Sequence, residues 1–247
     1  MLHPEDVDGL IGLSPAYNIS SYSKAKWAPF VRPFVPWIDR GVADDAMRYE
    51  AMPTRGVVET IKAIKAMNGQ LDSTHSIEIP WLLVQSLDDA VILPAANEQL
   101  WKDHAAHPDS RLIKFFSGEL PEVEPRMISM SGKDLEQRVL GLSPIAIQNS
   151  PDNEHYGREG SFRNCGLTAP RDRGLVRTCQ EASEVLYGLW NSKVDAETPL
   201  AISTFNPSFG KLAFELRAFA GKLTHQLDQS PVRSIRNDLL RSHHDEY

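Results

Sequence analysis

The chain has 247 residues, 41% of them hydrophobic and 24% charged, proportions of an ordinary globular protein with room for one large domain or two small ones. Its net charge of −7 is the reverse of the basic footprint expected of a nucleic-acid binder. No apolar run approaches the ~20 residues of a membrane span, Met1–Asp6 does not read as a signal peptide, and two cysteines, Cys165 and Cys179, are too few for a disulfide framework or a zinc site.

In chain order, Leu10-Ile11-Gly12-Leu13 reads as a buried strand that ends in a turn at Ser14-Pro15. From Tyr17 to Asp45 the aromatic residues Trp27, Phe30, Phe34 and Trp37 are punctuated by Pro29, Pro33 and Pro36. Proline interrupts long helices, so this stretch is expected to be a short helical excursion, either a lid or an irregular packed loop. A helix running to Met67 carries Val57, Ile61 and Ile64 on one stripe and stops at Asn68-Gly69.

The centre of the chain is Ile77 to Pro94. The apolar block Trp81-Leu82-Leu83-Val84 breaks at Gln85-Ser86-Leu87-Asp88-Asp89 and a second apolar step closes on Pro94. A short, continuous apolar run bounded by turn residues predicts a strand buried inside a parallel sheet. An acidic pair at the carboxyl end of such a strand stands where open α/β sheets bind their ligands; equally, two carboxylates there can cap the next helix.

A helix over Ala95–His107 follows, then a strand at Arg111–Phe116. Between Gly118 and Pro125 the periodicity is lost, and Ser150–Cys165 is rich in turn formers and predicts a loop. A helix is expected over Glu181–Trp190, a strand over Leu200–Phe205, and a closing helix with Leu212, Leu216, Phe219 and Leu223 on one face. The polar tail from Arg233 to Tyr247 is expected to fray. The fold class is therefore α/β: parallel strands with flanking helices, in a single domain spanning 1–247 with a small cap insertion at about 17–56 and a C-terminal tail at about 230–247.

The segment ending at Asp89 resembles the acid-bearing segment of the α/β-hydrolase superfamily, Pro-x-Leu-x-x-x-Gly-x-x-Asp-x-Val, with Ser86 in the Gly place, Asp89 in the Asp place and Val91 in the Val place. Arg48-Tyr49-x-x-x-Pro53 before a helix, Ser150-Pro151-Asp152, Tyr156-Gly157, Arg163-Asn164-Cys165 and Asn206-Pro207-x-Phe209 resemble a bacterial group of that superfamily, of esterase or lipase type. The resemblance implies a serine hydrolase of carboxylic esters acting on a small molecule, with Asp89 rather than Asp88 as the triad acid; nothing in the sequence resembles a phosphate-binding Gly-rich loop or a metal-ligand set, so no cofactor or metal is expected. It covers the carboxyl-terminal part of the family fold, with Met1 falling near the end of the expected nucleophile helix.

Three positions decide how far that implication goes. Gly12-Leu13-Ser14-Pro15-Ala16 imitates the Gly-x-Ser-x-Gly nucleophile elbow. The amide after the nucleophile forms half of an oxyanion hole, however, and Pro15 has none. The family's histidine is expected near Ser143-Pro144-Ile145, where Pro144 can neither accept nor relay a proton. His155, on the turn-rich loop, is the histidine left as candidate base, or else a solvated turn residue. His104 and His107 are expected at the surface, with His243 and His244 in the tail. The chain is thus expected to be either a hydrolase-family protein with little or no activity by itself, the nucleophile half being absent, or a non-catalytic fragment or pseudo-enzyme with a binding role. Cytoplasm is the expected compartment, and one cross-link between the cysteines is left open.

Overall fold

A computed structural model describes residues 7–40, 45, 47, 51–71, 75–122, 124–165, 173–189 and 199–228. In chain order the elements are β1 (Leu10–Leu13), α1 (Tyr22–Ala25), α2 (Ala28–Val31), β2 (Trp37–Arg40), β3 (Ala51–Pro53) and α3 (Thr54–Gln70). There follow β4 (Trp81–Ser86), α4 (Pro94–His104), β5 (Arg111–Phe116), β6 (Met127–Ser131), a 3-10 turn at Pro144–Ala146, α5 (Arg173–Glu181), β7 (Leu186–Gly188), β8 (Leu200–Ile202) and α6 (Phe209–Asp228).

The fold class is α/β. The main sheet has the order β1-β4-β5-β6, and each neighbouring pair is parallel, with Leu10 opposite Trp81, Leu82 opposite Arg111 and Leu112 opposite Met127. All six residues of β4 are buried, which explains why its first four, Trp81–Val84, read as an unbroken apolar run rather than an alternation: a central parallel strand is covered on both faces.

The two faces separate by the period of two. Leu82 and Val84 pack with Ile113, Phe115, Leu212 and Phe219, under α6. Trp81 and Leu83 pack with Leu112, Trp101 and Ala105, under α4. β2 and β3 form an antiparallel pair beside α2 and α3 in the crossover between β1 and β4. A separate cluster, Val139, Cys165, Cys179, Tyr187 and Phe205, is built around the parallel pair β7-β8.

Two expectations are corrected here. The stretch expected as a helix over Glu181–Trp190 is instead the end of α5 followed by β7, whose Leu186 pairs with Leu200; Trp190 lies outside the described residues. His104, expected at the surface, is buried, and its Nδ1 donates to the His75 carbonyl at 2.6 Å. The polar tail, with His243 and His244, lies outside the described residues. The two cysteines are joined as the disulfide Cys165–Cys179.

Candidate functional site

Because all four strands of the main sheet run the same way, their carboxyl ends share one edge, and Ser14, the acidic pair and the chain after Ser131 gather there. Asp89 sits just past β4. Its Oδ1 accepts the backbone N–H groups of Val91 at 2.8 Å and Ile92 at 2.9 Å, an Asx turn that fixes the carboxylate and leads the chain into α4.

Asp88, its neighbour, is half-buried. Burial raises its pKa, and hydrogen bonds from the Ser117 side chain and the Leu142 backbone offset this in part. Its Oδ2 is buried without a hydrogen-bond partner. Ser86 Oγ donates to the Leu142 carbonyl at 2.7 Å, tying the end of β4 to the segment where the family resemblance expects a histidine. What stands there is Pro144, the first residue of the 3-10 turn.

Ser14 has φ 43°, one of three non-glycine residues among those described with positive φ, and its Oγ is buried without a partner. Such a backbone is uncommon for a side chain larger than hydrogen. It ends β1, with its N–H donated to the Val84 carbonyl at 2.8 Å, but the next residue, Pro15, still offers no amide to an oxyanion.

His155 belongs to a different network. Asn153 Oδ1 accepts from the backbone N–H groups of His155 at 2.9 Å and Tyr156 at 2.7 Å. The loop then closes on itself through Gly157 N–H to the Asn153 carbonyl at 2.9 Å, Ser161 N–H to the Glu154 carbonyl at 3.0 Å and Phe162 N–H to the His155 carbonyl at 3.0 Å. This fold-back places the His155 ring against Phe162, stacked at 5.5 Å, and edge-on to Tyr156 at 4.5 Å.

One ring nitrogen, Nε2, lies 2.8 Å from Asp45 Oδ1; the other, Nδ1, lies 2.9 Å from Ser161 Oγ. Tyr156 Oη donates to Asp45 Oδ2 at 2.9 Å, and Met47 N–H donates to Oδ1 at 2.9 Å. The structure therefore gives the two sequence-predicted residues separate partners: Asp89 its own turn, and His155 the pair Asp45 and Ser161.

Sequence reasoning did not find Asp45, Tyr156 or Ser161 as members of a site. Asp45 and His155 are 110 positions apart, and nothing in the local pattern of either announces the other. A hint lay only in Tyr156-Gly157 and the turn formers around it, which ask for a loop compact enough to hold a side chain still.

The Asp45 side chain is 1% exposed and that of His155 24%. Burial alone would raise the pKa of Asp45, but hydrogen bonds from His155, the Met47 N–H and Tyr156, with the charge of His155 adding to them, outweigh it and hold the carboxyl below its ordinary value. A depressed folded-state pKa contributes stability that is present above the unfolded-state value and is lost as pH falls through the folded one. In urea unfolding, the wild type is therefore expected to lose more stability than Asp45→Asn on going from pH 6 to below about pH 4, the ordinary range for Asp. Equal losses in the two proteins would show that the carboxylate is not stabilised as described.

A cleft of about 330 Å³ beside the same loop is lined by Arg138, Arg158, Arg163 and Tyr187. Its three guanidinium groups are already engaged, Arg138 by Glu184 at 2.6 Å, Arg158 by Glu159 at 3.4 Å and Arg163 by the Ala182 carbonyl. Among the described residues no group of three or more His, Cys, Asp or Glu is placed to hold a metal ion, and no helix is long and apolar enough to cross a membrane.

No protein-family model matches the sequence, and no curated protein matches it. Among solved structures, a soluble variant of monoglyceride lipase from Saccharomyces cerevisiae in complex with a substrate analogue is similar at 17% identity and a TM-score of 0.37, over 46% of this chain and 48% of that one. The match thus spans about half the length of the lipase. What the lipase binds is a property of the lipase; the site here is defined by its own residues.

Proposed function

We propose that the protein is a carboxylic-ester hydrolase of the α/β-hydrolase kind, acting on a small-molecule ester by serine-type acyl transfer, and that this chain by itself turns its substrate over slowly. The observation that carries this reading is His155, an imidazole held between a buried carboxylate and an exposed hydroxyl. General-base activation of a serine needs this geometry. The resemblance of Ile77–Pro94 and Ser150–Cys165 to the superfamily supports it, as does the position of Asp89 at the end of a central parallel strand.

In this reading Asp89 is the acid of the strand-end site and His155 is the base on the loop. They lie in separate hydrogen-bond networks, and a triad acid works only through the imidazole it orients. Asp89 therefore does not orient His155, whose Nε2 faces Asp45 instead. Slow turnover follows from the loop amides: Ser161 and Phe162 have already donated their N–H groups to Glu154 and His155 carbonyls, so those two cannot stabilise an oxyanion, a contribution that elsewhere amounts to about 10²–10³ in rate per donor.

A second reading, a non-catalytic relative with a binding role, is favoured by Pro144 at the place where the resemblance expects a histidine. The Cys165–Cys179 bridge supports an oxidising compartment, where such bonds persist, over the cytoplasm expected from composition.

The deciding experiment is hydrolysis of p-nitrophenyl acetate and butyrate by the purified protein, with His155→Gln beside it. A slow rate above that of heat-denatured protein is expected, falling to the denatured level in His155→Gln. No hydrolysis under conditions where a control esterase is active would remove the hydrolase reading and leave the binding one.

A further inference from the structure

The geometry points to Ser161 as a nucleophile, activated by His155 and positioned by Asp45, in a relay that lies on the loop 153–162 and the cap connection rather than at the carboxyl edge of the sheet. The inference rests on the hydrolase reading and adds to it the residue that would become acylated.

The tautomer can be derived from the partners. Asp45 is ionised, since its pKa is depressed, and an ionised carboxylate only accepts hydrogen bonds. The nitrogen facing it, Nε2, must therefore carry the hydrogen. In the neutral ring that leaves the lone pair on Nδ1, so the Ser161 hydroxyl is the donor across the 2.9 Å contact. A hydroxyl hydrogen-bonded to an unprotonated imidazole nitrogen, with the far nitrogen locked on a carboxylate, is the arrangement in which a serine oxygen can lose its proton as it attacks.

Further contacts hold the ring and its carboxylate in that attitude. Phe162 stacks on one face, Tyr156 meets it edge-on, and Asp45 is itself pinned by Tyr156 Oη and the Met47 N–H. Ser161 is exposed while Asp45 is buried, so the reactive oxygen faces solvent and the charge that orients the base does not. The site is open, which suits small, unhindered or activated esters.

In the reaction, Ser161 Oγ forms a bond to the ester carbonyl carbon and its proton passes to His155 Nδ1. The C–O bond to the leaving group then breaks, and that oxygen takes the proton from Nδ1 and departs as the alcohol. Water attacks the acyl-Ser161, giving its proton to Nδ1, and the carboxylic acid leaves as the proton returns to Oγ. With a fluorophosphonate the same oxygen bonds to phosphorus and fluoride departs, which leaves a stable mark on the nucleophile.

The test is to treat the purified full chain with a fluorophosphonate probe, map the modified residue by mass spectrometry, and measure p-nitrophenyl acetate hydrolysis on the same preparations. Labelling at Ser161 is expected, absent in Ser161→Ala and at least ~100-fold slower in His155→Gln, the lower end of what a general base contributes. Imidazole added to His155→Gly is expected to restore part of the rate, which a structural role for the ring would not allow. For Asp45, the readout is the ring nitrogen spectrum of His155: the Nε2–H tautomer in the wild type, and a mixture of tautomers in Asp45→Asn.

Labelling at another serine, with hydrolysis intact in Ser161→Ala, would overturn this assignment and leave the hydrolase reading standing. Neither labelling nor hydrolysis, with control esterase labelled alongside, would end both.

Discussion

Gly160→Ala is expected to unfold the loop that carries the relay. A Cβ built at Gly160 falls 2.3 Å from the His155 carbonyl oxygen, 2.7 Å from its carbon and 2.8 Å from the Gly157 nitrogen. These are backbone atoms, so no rotamer change relieves the overlap. The chain must open between His155 and Gly160, where the Ser161-to-Glu154 and Phe162-to-His155 hydrogen bonds close the turn. Forced overpacking of this kind costs about 1–3 kcal/mol, and here it acts on the segment that sets the spacing of Ser161 and His155. The expected results are a loss of about 2–3 kcal/mol in denaturant unfolding and loss of probe labelling at Ser161. Gly118→Ala is the control, since a Cβ there meets nothing within 4 Å. If Gly160→Ala is as stable as Gly118→Ala, the loop is not packed as described.

The contrast between that loop and the main sheet explains what the sequence makes legible. Strand β4 follows from Trp81 to Val84 alone, because a run covered on both faces reads as continuously apolar, and β5 follows from Leu112, Ile113, Phe115 and Phe116, although its Lys114 is buried and paired with Glu98 at 3.5 Å. The terminal helix follows from Leu212, Leu216 and Phe219, all turned to one face of the sheet. β7 does not follow. Val185, Leu186 and Leu189 fit a helical stripe as well as a strand, and the choice is made by Leu200, which pairs with Leu186 across a long connection. Periodicity cannot report a partner so far away.

The candidate site divides along the same line. Asp89 could be proposed from the sequence because the pattern around it is local: a strand, a turn and a helix in succession. The relay could not, because it needs a carboxylate from the connection after β2 to meet an imidazole from a loop beyond the main sheet. His155 by itself reads as a turn residue. Only the burial of Asp45 and the fold-back through Gly157 and Gly160 make it the centre of a network.

Removal of the disulfide is expected to cost stability without dismantling the relay. The cysteines are 14 positions apart, and constraining a loop of that length restricts the unfolded chain by about 3 kcal/mol. Both sulfurs are buried in the cluster with Tyr187 and Phe205, so Cys165→Ala/Cys179→Ala also loses packing there. At roughly 2–4 °C per kcal/mol for a chain of this size, a fall in melting temperature on the order of 6–12 °C is expected. The relay loop has an independent anchor one residue before the bridge, where the Ile202 N–H donates to the Asn164 carbonyl at 2.8 Å. Its closing hydrogen bonds all lie upstream of Cys165. Labelling at Ser161 well below the melting temperature should therefore survive in the double variant. A melting temperature unchanged to within ~2 °C would mean that the bridge constrains nothing the folded chain does not already fix, and loss of labelling in a still-folded protein would move the support of the relay from its own turn to the β7-β8 cluster.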